Sequence, residues 1–188
     1  MLLDIPGFIA ELKSLAVEHG FHVHDERHFI ETYTMRQAFE IDLHPESACG
    51  GLVDLQLSLD LEPRTLMSFE DEIMMLSDEA YPSDDLTLDL LFTWQLPPLA
   101  HGPDLLVLAT DLAGISGTGL PTQVSAMDSF TDVTDQAERS LGVTSRLEVP
   151  LAVLFHGDEN SIICDALDCC SEISNYLLNQ VPAWLGSD

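Results

Sequence analysis

The chain has 188 residues, of which 33 are Asp or Glu and 6 are Lys or Arg, so its formal net charge is −27 at pH 7. Hydrophobic residues make up 46% of it, so the excess charge does not exclude a folded core, and the length predicts a single domain over 1–188. The same charge is repelled by nucleic-acid phosphate and by anionic lipid. We therefore expect no nucleic-acid partner and no membrane partner.

The N-terminus and the cysteines bear on where the protein works. Residues 1–6 lack a basic segment followed by an apolar run, and no later stretch approaches the roughly 18 apolar residues of a membrane span. The cysteines are Cys49, Cys164, Cys169 and Cys170, and their spacing is not typical of a disulfide framework. We expect reduced thiols and a cytoplasmic protein.

The first predicted element is an amphipathic helix. Apolar residues recur at helical spacing from Ile5 to Ala16. Asp4 stands where an N-cap is needed, Pro6 falls in the first turn, and Gly20 follows the last turn.

Strict alternation of apolar and polar residues then predicts half-buried strands. The alternating runs are Phe39–Leu43, Val53–Leu61, Leu86–Leu96 and Leu147–Phe155. This pattern is typical of an antiparallel sheet that is covered on one face. Pro150 lies on the polar phase of its run, which predicts an edge position or a bulge.

The other segments are assigned by period and composition. We predict helices over Thr65–Ser77, Asp128–Leu141 and Asp158–Gln180, a buried strand over Leu105–Ala109, and loops over Pro97–Pro103 and Asp111–Ser125. The fold class is therefore α+β: a mostly antiparallel sheet of about five or six strands, with N-terminal, middle and C-terminal helices packed mainly on one face.

The acidic residues are concentrated in the middle of the chain, where residues 38–104 contain fifteen acids and one base. Their polar phase puts five of them on the uncovered face of the predicted sheet: Glu40, Asp42, Asp54, Asp60 and Asp89. Like charges that face each other across strands cost up to about 1 kcal/mol per pair. The face would therefore gain from a cationic partner.

The leading hypothesis is a non-enzymatic acidic domain that binds a basic protein, as inhibitors, immunity proteins and secretion chaperones do. The five acids and Trp184, a partly exposed aromatic anchor, are the predicted partner-binding residues. A solubilising coat of charge and adaptation to high salt are the alternatives. The large apolar side chains of the core disfavour salt adaptation.

A different class of function comes from the region 19–44, which contains five histidines among acids. A metal-dependent enzyme is the alternative hypothesis, and His22, His24 and His44 are its candidate ligands. No recognised metal signature is present, and surface histidines that form hydrogen bonds would give the same pattern. The leading hypothesis needs no cofactor.

Overall fold

The computed structural model describes residues 4–76, 81–130, 132, 138–156 and 160–186. Its strands are β1 (Phe21–Ile30), β2 (Gln37–Pro45), β3 (Asp54–Leu61), β4 (Thr87–Gln95), β5 (Thr122–Ser129) and β6 (Glu138–Pro150). Its α-helices are α1 (Ile5–Glu18), α2 (Pro63–Met75), α3 (Leu105–Ser116), α4 (Leu151–His156) and α5 (Asn160–Trp184), and a short 3₁₀ turn covers Glu46–Ala48.

The six strands form one sheet in the order β1-β2-β3-β4-β6-β5, and every neighbouring pair is antiparallel. The inward phase of β2, β3, β4 and β6 is buried, and its side chains form one hydrophobic cluster with apolar residues of the helices. The outward phase stays partly or fully exposed. The predicted α+β class, with its antiparallel sheet and helices packed on the sheet, is confirmed.

The helix ends follow the predicted chemistry. Asp4 caps α1, because its carboxylate accepts a hydrogen bond from the Gly7 N–H at 3.0 Å. Gly20 has a φ of +84°, the left-handed conformation that ends many helices. The predicted Thr65–Ser77 helix corresponds to α2, and its last residue, Ser77, lies outside the described residues.

The long helix α5 packs across the covered face of the sheet. Trp94 of β4, on the apolar phase of the alternating run Leu86–Leu96, is 1% exposed. Its indole N–H donates to Ser174 Oγ at 2.9 Å, and that hydroxyl donates to the Cys170 carbonyl at 2.7 Å. The start of the predicted Asp158–Gln180 helix lies outside the described residues, and α5 continues to Trp184.

The predicted strand over Leu105–Ala109 is wrong, because these residues belong to α3. A short, continuous apolar run has no period that separates a buried strand from a buried helix. The cap decides between them: the Asp104 carboxylate accepts from the N–H groups of Leu106 and Val107 at 2.8 and 3.1 Å.

The segment between α3 and β6 also differs from the prediction. Asp111–Ser125 was expected to be a loop, but α3 continues to Ser116 and β5 begins at Thr122. The helix predicted over Asp128–Leu141 is wrong where the structure describes it, because Asp128 lies in β5 and Leu141 in β6. Its residues 131 and 133–137 lie outside the described residues.

The end of β6 had no clear signal in the sequence. The alternating run that begins at Leu147 changes at Pro150 from β6 to α4, whereas it was expected to continue to Phe155. Pro150 lies at a local edge of the inner strand β6, as the sequence predicts: Thr87 of β4 faces it on one side, and no described strand pairs with it on the other. It is the last residue of β6, beyond Ser145, where the pairing with β5 ends, so its missing N–H costs little there.

Candidate functional site

The outward phase of the sheet forms a polar surface, called here the open face. None of the described helices packs on it. The five predicted acids lie there, in β2, β3 and β4, and four of them are partly buried by their neighbours while Asp60 is exposed. Sequence reasoning therefore located these side chains on one surface.

Strand β1 was not predicted, and it changes the charge of the open face. A register shift between Val23 and Asp25 makes His24 an extra residue in β1. Beyond it, Asp25 stands opposite Asp42, and Arg27 stands opposite Glu40. The strand thus adds one carboxylate and one guanidinium group to the face.

Arg27 bridges the first pair of opposing carboxylates. Its Nη1 lies 3.1 Å from Asp25 Oδ2 and 2.8 Å from Asp42 Oδ2, and its Nη2 lies 2.8 Å from Asp42 Oδ1. Its Nε donates to Glu40 at 3.0 Å. These hydrogen bonds, first to Asp42 and then to Glu40, raise the pKa of Arg27 above its ordinary value.

A second pair of opposing carboxylates has the same arrangement. Asp89 of β4 faces Glu148 of β6, and Arg146 lies 2.7 Å from an oxygen of the first and 3.2 Å from an oxygen of the second. The hydrogen bond to Asp89 is the main reason why the pKa of Arg146 is raised. The like-charge repulsion expected across the strands is therefore offset by an arginine at both places.

The last two predicted acids also have cationic or ionisable neighbours. Arg36 binds Asp60 through two guanidinium nitrogens. His44 Nδ1 lies 2.7 Å from Asp54 Oδ1, although the two buried atoms are not aligned for a hydrogen bond. Counting Asp25 and Glu148, seven carboxylates and three guanidinium groups interact on this surface. It keeps an excess of negative charge.

Trp184, the sixth predicted binding residue, is not part of the open face. It lies in the last turn of α5, on the covered side of the sheet, and packs partly buried against the core. Its carbonyl accepts from the His101 N–H at 2.9 Å. The structure therefore does not bring Trp184 together with the five acids.

A second acidic surface lies where α1 and α5 meet. We call it the helix surface, and its carboxylates are those of Glu18, Asp165, Asp168 and Glu172. Of these, Asp168 is 2.6 Å from Nδ1 of His19. No arginine or lysine pairs with these four carboxylates among the ion pairs of the described residues.

The thiols beside the helix surface are protonated more strongly than usual. Burial is the main reason why the pKa values of Cys164 and Cys169 are raised, and nearby carboxylates raise them further. Cys170 is 0% exposed, and its burial raises its pKa still more. These three cysteines suit a packed core and not a nucleophile.

The histidine region forms a different cluster from the one predicted. His22, His24 and Cys49 each offer a ligand atom within 4.8 Å of the others, and all three residues are exposed. The predicted third ligand, His44, packs its ring against that of His24, with centroids 3.9 Å apart and the planes tilted by 48°, and its Nδ1 lies beside Asp54. Sequence reasoning missed Cys49 because it is 25 positions from His24.

Two cavities lie along β6 near the start of β5, and the first of them extends to α5. One has a volume of about 450 Å³ and is lined by residues that include Arg146, Glu148 and Ile162. The other, of about 310 Å³, lies between β4, β5 and β6 and also includes Arg146.

None of the described helices combines the length and the apolar character that crossing a bilayer requires. Comparisons with models of protein families, with curated proteins and with solved structures found no match to this chain.

Proposed function

We propose that this chain is a non-enzymatic acidic domain that binds a basic protein through the open face. One observation carries the proposal: an uncovered sheet surface on which seven carboxylates outnumber three guanidinium groups, which hold six of them in position. An inhibitor, an immunity protein or a secretion chaperone would use such a surface, because complementary charge raises the rate of association and rejects acidic competitors.

The arginines of the open face help this function. A carboxylate that is already fixed by Arg27 or Arg146 loses little conformational freedom when a partner binds, so less entropy opposes association. The guanidinium groups of Arg27 and Arg146 are each shared by at least two carboxylates, which leaves acceptor sites for a cation from the partner. Trp184 would contact only a partner that extends around to the covered side.

A cytoplasmic location is part of the proposal. All four cysteines are free thiols, including the exposed Cys49, as expected in a reducing compartment.

The test compares two variants with the same change in charge. The sheet variant carries Glu40→Gln, Asp42→Asn, Asp60→Asn and Asp89→Asn. The helix variant carries Glu18→Gln, Asp165→Asn, Asp168→Asn and Glu172→Gln. The wild type and both variants are immobilised and exposed to an extract of the native host, after circular dichroism has shown that each is folded. We expect a basic protein that binds the wild type and the helix variant but not the sheet variant.

The captured protein is then purified, and its affinity is measured by calorimetry at increasing salt. Steep weakening with salt supports recognition by charge, since the Debye length falls from about 10 Å at 0.1 M to about 3 Å at 1 M salt. Equal losses in both variants would show that only net charge matters. Retention by the sheet variant would refute the open face as the binding surface.

The alternative hypothesis, a metal-dependent enzyme, is supported in its metal binding but not in its catalysis. The cluster of His22, His24 and Cys49 favours metal binding, without indicating a reaction.

A further inference from the structure

We propose that His22, His24 and Cys49 form a site for a divalent transition-metal ion of the Zn²⁺ class. The proposal is independent of the protein-binding function. Imidazole nitrogen and thiolate sulfur are the donors that Zn²⁺ prefers, whereas Mg²⁺ and Ca²⁺ prefer oxygen. The three residues supply two nitrogens and one sulfur.

The distances between the ligand atoms suit such an ion. With bonds of about 2.1 Å to nitrogen and 2.3 Å to sulfur, two ligands of a tetrahedral Zn²⁺ lie about 3.5 Å apart. His24 Nε2 and Cys49 Sγ are already 3.2 Å apart. The largest separation in the cluster is at most 4.8 Å, and rotations of exposed side chains can shorten it.

The local backbone explains why these residues meet. The extra residue in β1 is His24 itself, and a bulge of this kind redirects a side chain that strict alternation would turn elsewhere. The 3₁₀ turn after β2 is tied to the start of β1, because the Glu46 N–H donates to the Gly20 carbonyl at 2.8 Å. Gly50, with a φ of +77°, ends this turn directly after Cys49.

Neighbouring groups complete the proposed site. Glu46 Oε1 is 3.9 Å from His22 Nε2, so this carboxylate or a water molecule can fill a fourth position. The His44 ring packs against that of His24, and the Asp54 carboxylate lies beside Nδ1 of His44. When a metal ion binds, the Cys49 thiol loses its proton to solvent and its sulfur forms the bond to the metal.

The test uses Co²⁺, whose bond to a thiolate gives a charge-transfer band in the near ultraviolet. The full chain is titrated with Co²⁺ in excess Mg²⁺, which occupies the many carboxylates. We expect one Co²⁺ per chain with this band, and displacement of Co²⁺ by Zn²⁺. Cys49→Ser should abolish the band, and His24→Gln or His22→Gln should weaken binding at least about tenfold, since even outer-shell changes cost that much.

Two matched controls come from the same chain. Cys164→Ser removes a different thiol, and His28→Gln removes another exposed histidine of β1. Both should bind Co²⁺ as the wild type does. A band that survives Cys49→Ser, or one that disappears in Cys164→Ser, would overturn the proposal, as would the absence of a band in the wild type. Circular dichroism of each variant separates lost ligation from lost folding.

Discussion

The open face and the helix surface are both acidic, but they balance their charge differently. On the open face, Arg27 and Arg146 each stand between two carboxylates that face each other across strands. On the helix surface, the described ion pairs include only His19 with Asp168. A sheet brings its carboxylates into fixed opposition, so it needs cations at defined positions, whereas helix side chains can point away from one another.

The difference teaches why the net charge of a segment is a poor guide to the charge of a surface. Residues 38–104 contain a single base, Arg64, which makes no ion pair among those of the described residues. The cations on their open face come from both flanks: Arg27 and Arg36 precede this segment, and Arg146 follows it. The fold thus places half of the chain's Lys and Arg residues next to the acids of residues 38–104.

The largest effect should come from the core that joins the two surfaces. Ser174→Ala removes the hydrogen-bond partner of the buried Trp94 indole, the one that the described residues provide. An unsatisfied buried donor costs about 1–3 kcal/mol, so the free energy of unfolding should fall by that amount. Urea unfolding followed by circular dichroism and by tryptophan fluorescence measures it.

The matched control is Ser171→Ala, which changes a less buried serine of the same helix. An equal loss of stability in the two variants would contradict the role of the hydrogen bond. We also expect both signals to change in one transition, because the surfaces share one core. Two separate transitions would contradict both the shared core and the predicted single domain.

A smaller effect should follow from removing a bridging arginine. Arg27→Gln leaves Asp25, Glu40 and Asp42 close together without their guanidinium group, so the melting temperature should fall. The deficit should shrink between about 0.1 and 1 M salt, because screening weakens the repulsion between these carboxylates. Thermal unfolding at both salt concentrations is the measurement.

Arg64→Gln is the control for this change, since it removes the same charge from an exposed position on α2. It should leave the melting temperature nearly unchanged, and the dependence of the melting temperature on salt should change only slightly. Adding Asp42→Asn to Arg27→Gln should recover part of the loss. If Arg64→Gln and Arg27→Gln behaved alike, the arginine bridges would have no special role.

The alternation of apolar and polar residues predicted the strands that have one buried and one exposed face. It failed for segments whose two sides have similar environments. In β2 and β3 every inward residue from Phe39 onward is buried, so the period of two is clear. In β1, an edge strand with a bulge, only Phe21 is buried, and histidines and charges occupy both phases. The first five residues of α3, Leu105–Ala109, are all apolar, which hides the helical period there.

The site was predictable to a similar extent. The five acids of the open face could be located because each lies on the polar phase of a regular strand. Their arginine partners could not, because pairing them requires the order of the strands. Cys49 joins His24 through a turn whose geometry has no sequence period. The one available signal was Gly50 directly after Cys49, which is typical of a turn but does not indicate a ligand.

The smallest expected effect concerns the thiols beside the helix surface. Asp165 raises the pKa of both Cys164 and Cys169, although burial is the larger cause in each case. Asp165→Asn removes a negative charge that disfavours the thiolate, so both pKa values should fall while staying above the ordinary value. At a fixed mildly alkaline pH, more thiolate forms and alkylation by iodoacetamide becomes faster.

The measurement uses a Cys49→Ser background, since Cys49 is exposed, and Asp42→Asn is the control. Asp42 lies on the opposite side of the sheet, so an equal acceleration by Asp42→Asn would mean that the two acidic surfaces are not electrostatically separate.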